Sequence, residues 1–274
     1  MRARWPFLGG YLIALILAEF LVGISTHQPD GAVLWQAGLE LGLTIHILLL
    51  FSVLFLAVLI GESDRPLAFL LAAVSLASLD RILSLAVPRP QWLTLLQWLG
   101  LVSIPLLTAA GSVAYVLGIR LKDLGFGPMS RSDIALQGLV GSSGLLLGVA
   151  EFAILRPSPD QFFSPQTPST FVFGVIVLFF ATGLAEEVIF RGIMLPRSVE
   201  VLGRRSGLLF TTAVFATLHL FYQNAIDLVF VFGVGLFYGF VVLKSKQLWG
   251  VTISHTTANV MLYLVAPLLF GLVT

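Results

Sequence analysis

This sequence predicts an all-α fold, a polytopic transmembrane helical bundle of eight to nine spans. Three observations carry that expectation. Apolar residues make up 58% of the 274 residues and charged residues only 11%, where a soluble domain has roughly 45–50% and about 25%. The apolar residues are gathered into runs near the ~20 residues a helix needs to cross the hydrocarbon. The cations between those runs alternate in number from loop to loop. A mean hydropathy of +1.00 leaves too little polar surface for a water-soluble globule. Period-2 alternation is absent, which argues against an outer-membrane barrel. Fifteen Lys and Arg against 14 Asp and Glu leave +1, with no basic face for nucleic acid. With no cysteine, there is no disulfide frame, thiolate metal site or cysteine nucleophile.

Taken along the chain, the apolar runs cover 7–24, 37–60, 67–87, 92–118, 134–155, 171–195, 207–222, 225–243 and 249–273. The seventh and eighth are short and almost contiguous, so eight spans with a re-entrant piece is the alternative to nine. With the N-terminus inside, Arg2, Arg4, Arg65, Arg120, Lys122, Arg131, Arg197, Arg204, Arg205, Lys244 and Lys246 all fall on one side, and Arg89 and Arg156 on the other. That bias follows the positive-inside rule with a cytoplasmic N-terminus. The first run contains Glu19 and is followed by no A-x-A-like site, so it reads as a retained helix. The charged linker 119–133, broken by Gly125, Gly127 and Pro128, separates an N-terminal four-helix region, 1–118, from a C-terminal region, 119–274. The loop 156–170, with four prolines, reads as irregular and water-exposed.

Ionisable groups inside a bilayer are costly and tend to face the bundle interior. In the N-terminal half these are Glu19, Glu40, His46, Asp80 and Arg81. They read as local pairs and snorkelling groups near span ends, with His46 bonded to a neighbouring helix. The C-terminal half is richer. Its sixth run holds Glu186, Glu187 and Arg191, its seventh Phe215 and His219, and its ninth His255 and Asn259. Glu187 and Arg191, Phe215 and His219, and His255 and Asn259 are each four residues apart, so each pair shares a helix face. Glu187 and Arg191 are then an internal ion pair. Glu186, turned by about 100°, is left for chemistry. Counted from the cytoplasmic ends at ~1.5 Å per residue, the four remaining groups lie roughly 9–18 Å deep and can reach one polar cavity.

Four readings fit those residue types. A carboxylate and a histidine can deprotonate a water for attack on an amide carbonyl, while histidine N–H and asparagine amide stabilise the oxyanion. Glu186, His219 and His255 can alternatively hold a zinc ion with a fourth position for water. A structural polar network, or an ion or proton pathway, uses the same groups without hydrolysis.

E-E-x-x-x-R, F-x-x-x-H and H-x-x-x-N, in that order on successive apolar runs, resemble the CPBP family of intramembrane proteases, which comprises CAAX proteases and bacteriocin-processing enzymes (the ABI family). The likeness extends over about 123–272, and Asp123-Leu124-Gly125-Phe126 resembles the element that often precedes the family's core. The resemblance implies a protease core at 119–274 and an intramembrane endopeptidase. In it Glu186 is the catalytic carboxylate, His219 its partner in water activation, and His255 and Asn259 the oxyanion support. Glu187, Arg191 and Phe215 are the supporting residues. It implies a glutamate-dependent reaction with no cofactor, zinc being the alternative. It also implies membrane lipids and a membrane-associated peptide or protein as partners, and a multi-pass location in a bacterial cytoplasmic membrane. A non-catalytic immunity or scaffold protein is the rival outside catalysis. A serine protease built on Gly141-Ser142-Ser143-Gly144 is the chemical rival, though small residues in a membrane helix more often serve close packing.

Overall fold

The computed structural model describes residues 4–27, 32–90, 92–157 and 167–270. Its helices are α1 (Arg4–Ser25), α2 (Gln36–Ile60), α3 (Arg65–Ala86), α4 (Leu95–Val116), α5 (Arg131–Leu155), α6 (Pro168–Leu202), α7 (Arg204–Thr217), α8 (Ala225–Ser245) and α9 (Trp249–Val260). Among the described residues the only sheet is a two-residue antiparallel pairing of Thr26–His27 with Ala32–Val33. The protein is an all-α polytopic membrane protein. Among the described residues, seven helices are long and apolar enough to cross a membrane, against the eight to nine spans read from the sequence. α7 and α9 make the difference. α7 has only 14 residues, about 21 Å of helix against a hydrocarbon core of ~30 Å. α9 runs on through a wider turn, Met261–Val265, and a last turn, Ala266–Leu269. Its Thr252, Ser254, His255, Thr256, Thr257 and Asn259 make it polar for a span. Most of the proline-rich loop 156–170, namely 158–166, lies outside the described residues, as does the end of the expected span 249–273.

The chain divides into two compact units, Met1–Ala86 with Met194–Phe237, and Val87–Ile193 with Tyr238–Thr274. In the first unit α2 is apolar nearly all round. It buries only Gly38, Gly42, His46 and Val53, a stripe along one face. Phe51, Phe55 and Val58 on its other faces are 66%, 66% and 80% exposed, a surface suited to acyl chains and not to water. Glycines let α2 approach α1 closely: a Cβ on Gly42 would sit 2.9 Å from Val22 Cγ2 and 3.0 Å from the Ala18 carbonyl oxygen. α3 is buried on most sides, from Ala68 through Ser78, and packs on both α2 and the last turns of α6.

In the second unit α9 is the most enclosed helix, and α5 is its main neighbour. Gly141, Gly144 and Gly148 form the seam. A Cβ on Gly144 would run into the Ser254 carbonyl, and one on Gly148 into that of Ala258. Gln137 on α5 caps the start of α9, its Oε1 accepting from Gly250 N–H at 2.6 Å. That satisfies one of the donors a helix N-terminus leaves without a partner. The Asp123-Leu124-Gly125-Phe126 stretch fixes the same end. Gly125 adopts φ +102°, a left-handed backbone that glycine tolerates, and its carbonyl accepts from Leu248 N–H at 2.8 Å. Phe126 meets Trp249 edge-on at 4.8 Å between ring centroids. The Arg120 side-chain hydrogen bond holds Asp123, just before this turn, below the usual carboxylate range. Gly144→Val, which forces α5 from α9, is expected to cost about 1–3 kcal/mol. Thermal melting in detergent checks this, and an unchanged midpoint means the seam is loose.

Candidate active site

α6 is regular at both ends but not on either side of Glu186 and Glu187. Wide turns with i→i+5 hydrogen bonding span Phe179–Leu184 and Val188–Met194, on either side of Ala185–Glu187. Such insertions recur at functional sites because they re-aim side chains. Gly183 allows α9 to come close, since a Cβ there would meet Thr256 Oγ1 and lie 3.1 Å from the Thr252 carbonyl oxygen.

Of the five residues singled out in the second unit, Glu186, Glu187, Arg191 and His255 come together. Arg191 Nη1 donates to Glu187 Oε1 at 2.9 Å, the internal ion pair expected from the spacing. The pair is dry: the Glu187 and Arg191 side chains are 0% and 2% exposed. The same Glu187 oxygen lies 2.9 Å from His255 Nδ1. Glu186 Oε2 lies 3.8 Å from His255 Nε2. One imidazole therefore stands between two adjacent carboxylates, one facing each ring nitrogen. Because Glu187 accepts at Nδ1, it fixes the orientation of the ring and places an N–H there. The Glu186 side chain is 26% exposed, unlike its neighbour. Asn259 is buried one turn further along α9.

His219 and Phe215 belong to the first unit. α7 ends at Thr217, and His219 follows on the turn that leads into the 3-10 segment Leu220–Tyr222. His219 Nδ1 lies 3.1 Å from the Phe215 carbonyl oxygen. A carbonyl only accepts, so Nδ1 carries a proton in this contact. The Phe215 ring packs against the imidazole at 5.0 Å between centroids. F-x-x-x-H thus works through both the ring and the carbonyl of the phenylalanine.

Tyr238 is a member of the cluster that sequence reasoning missed. Its ring lies 6.1 Å from that of His255 and 5.6 Å from the Arg191 guanidinium carbon. Its hydroxyl donates to Ser254 Oγ at 2.8 Å. Ser254 Oγ in turn lies 3.0 Å from Ser143 Oγ, which bonds the Val140 carbonyl at 2.6 Å. Ser143 is therefore tied into a hydroxyl chain. Nothing in the bare pattern of α8 marks Tyr238, which looks like one more aromatic in an apolar run. Among the described residues, no group of three or more His, Asp and Glu is arranged to hold a metal ion.

Fold and cluster together define a multi-pass membrane protein with a dry Glu-Arg-His network inside its helices. Residues 168–261 are similar to the family model described as Rce1-like, the type II CAAX prenyl endopeptidases. All the motif residues from Glu186 to Asn259 lie within that stretch. No curated protein and no solved structure matches the chain.

Proposed function

We propose that the protein is an intramembrane endopeptidase that hydrolyses a peptide bond of a membrane-associated protein or peptide. Glu186 takes a proton from water as the oxygen attacks the scissile carbonyl. It then delivers that proton to the leaving amine as the C–N bond breaks. His219, with its lone pair on Nε2, is the partner in water activation. His255 and Asn259 stabilise the oxyanion. Since Glu187 holds His255 Nδ1–H, only the Nε2–H of a doubly protonated ring can serve as that donor. Such a ring also balances Glu186 while Arg191 balances Glu187. The observation that supports this reading is the position of His255, with an arginine-neutralised carboxylate on one nitrogen and a partly exposed carboxylate 3.8 Å from the other. The bundle is oriented with its N-terminus cytoplasmic, in a bacterial cytoplasmic membrane.

The test uses purified protein in liposomes and a prenylated peptide ending in a CAAX sequence beside its unprenylated form, with products identified by mass spectrometry. The family's description supplies the choice of probe. Cleavage is expected, and a chelator leaves its rate unchanged. Loss of activity with chelator and recovery with zinc replaces the metal-free mechanism with one in which Glu186, His219 and His255 hold the ion. Tight binding of the peptide with no product moves the protein to the immunity or scaffold class.

A further inference from the structure

We infer that Arg81 and Glu19 are positioning residues for His219, and that the N-terminal helices serve to hold the turn carrying that histidine. The inference rests on the catalytic role proposed for His219 and lies wholly within the first unit. α7 ends at Thr217, so the carbonyls of its last turn have no partner within the helix. The carbonyl of Leu218, immediately before His219, accepts from Arg81 Nη2 at 2.8 Å. A guanidinium there meets the negative end of the helix dipole. Arg81 is itself held by Glu19: its Nε donates to Oε1 at 2.9 Å, and its Nη2 lies 2.9 Å from Oε2. Glu19 is fully buried and also lies 3.4 Å from His46 Nε2, so α1, α2 and α3 all contribute. Asp80 is the adjacent residue on α3.

Beyond His219 the turn is gripped again. The Arg81 guanidinium carbon lies 4.4 Å from the centroid of the Phe221 ring. α1 closes on the backbone at the same place: a Cβ on Gly23 would be 3.1 Å from Phe221 Cα and 3.2 Å from the Leu220 carbonyl oxygen. His219 is thus fixed from residue 218, from residue 221 and from its own Nδ1 bond. An ion pair serving stability alone has no need to commit an arginine N–H to the carbonyl beside the histidine.

Three variants of the full chain in liposomes test this: Glu19→Gln, Arg81→Lys and Gly23→Ala. Lysine keeps the charge of Arg81 but lacks the fork that holds Glu19 and Leu218 together. Gly23→Ala alters no charge and presses only on the turn. Each is assayed for kcat, KM and melting, and by 15N-histidine NMR, with the His219 signals assigned by their loss in His219→Ala. The expected result is a fall in kcat of about 10–100-fold at nearly constant KM, a displaced pH profile, and moved His219 signals with those of His255 unmoved. Wild-type His219 signals and kcat in folded Arg81→Lys and Gly23→Ala overturn the positioning role. Activity that falls only in step with melting, His219 signals unmoved, reduces these residues to structural ones and overturns it too. Moved His219 signals with full turnover, in these variants and in His219→Ala, leave the positioning intact and remove the catalytic role of His219 instead.

Discussion

Glu186→Gln is expected to lower peptide cleavage by roughly 10²–10⁴-fold, the range general acid–base groups contribute, while the protein melts as the wild type does. Glutamine has the shape of glutamate and keeps a carbonyl oxygen towards His255, so packing has no reason to change. What it loses is the ability to accept a proton from water and return it to the amine. The fall is expected in kcat, because proton transfer belongs to the transition state and not to substrate binding. Glu187→Gln next to it serves as the contrast. Glu187 is fully buried and spends one oxygen on both Arg191 and His255, so its loss acts on the ring orientation and on stability together. Turnover of Glu186→Gln equal to wild type removes the carboxylate from the reaction and with it the proposed mechanism.

Arg191→Ala is the variant expected to cost most in stability, about 3–5 kcal/mol. It leaves Glu187 with a buried charge whose cationic partner is gone, in surroundings where Arg191 is only 2% exposed. The arginine body also packs near Phe190 and Tyr238, so truncation removes contacts as well as charge. A double variant, Glu187→Gln with Arg191→Met, separates the two effects. Without a charge to strand, it is expected to recover most of the stability. It is still expected to cleave poorly, because Nδ1 of His255 no longer meets a carboxylate. Detergent melting curves read the first expectation and cleavage rates the second. Normal melting of Arg191→Ala means that the pair is hydrated in the protein.

The helical class and the ion pair inside α6 were legible in the sequence because both depend on local spacing. Runs of apolar residues show directly in composition, and Glu187 and Arg191 sit one helical turn apart. The packing use of Gly141 and Gly144 was legible too, since small residues admit a neighbouring backbone wherever they fall. Other features depend on residues distant in the chain and leave no local trace. Glu187 and His255 are 68 positions apart, and Glu19 and Arg81 are 62 apart. From sequence, Glu19 reads as a group near a span end and Arg81 as a local partner of Asp80, whereas Glu19 and Arg81 form one buried pair. The end of α7 was hidden because the apolar run continues through Leu218, Leu220 and Phe221 with no glycine or proline to mark the stop. His219 therefore read as lying within the seventh run, although it sits on a turn.

The two wide turns in α6 set the phase of everything between and beyond them. Removing one residue from 179–184 would rotate the downstream helix by about 100° and slide it ~1.5 Å. Both carboxylates would swing away from His255, with no side chain altered. Spacing is thus as strictly constrained in this stretch as chemical identity. Conservative exchanges can be absorbed there, but a single-codon deletion amounts to dismantling the cluster.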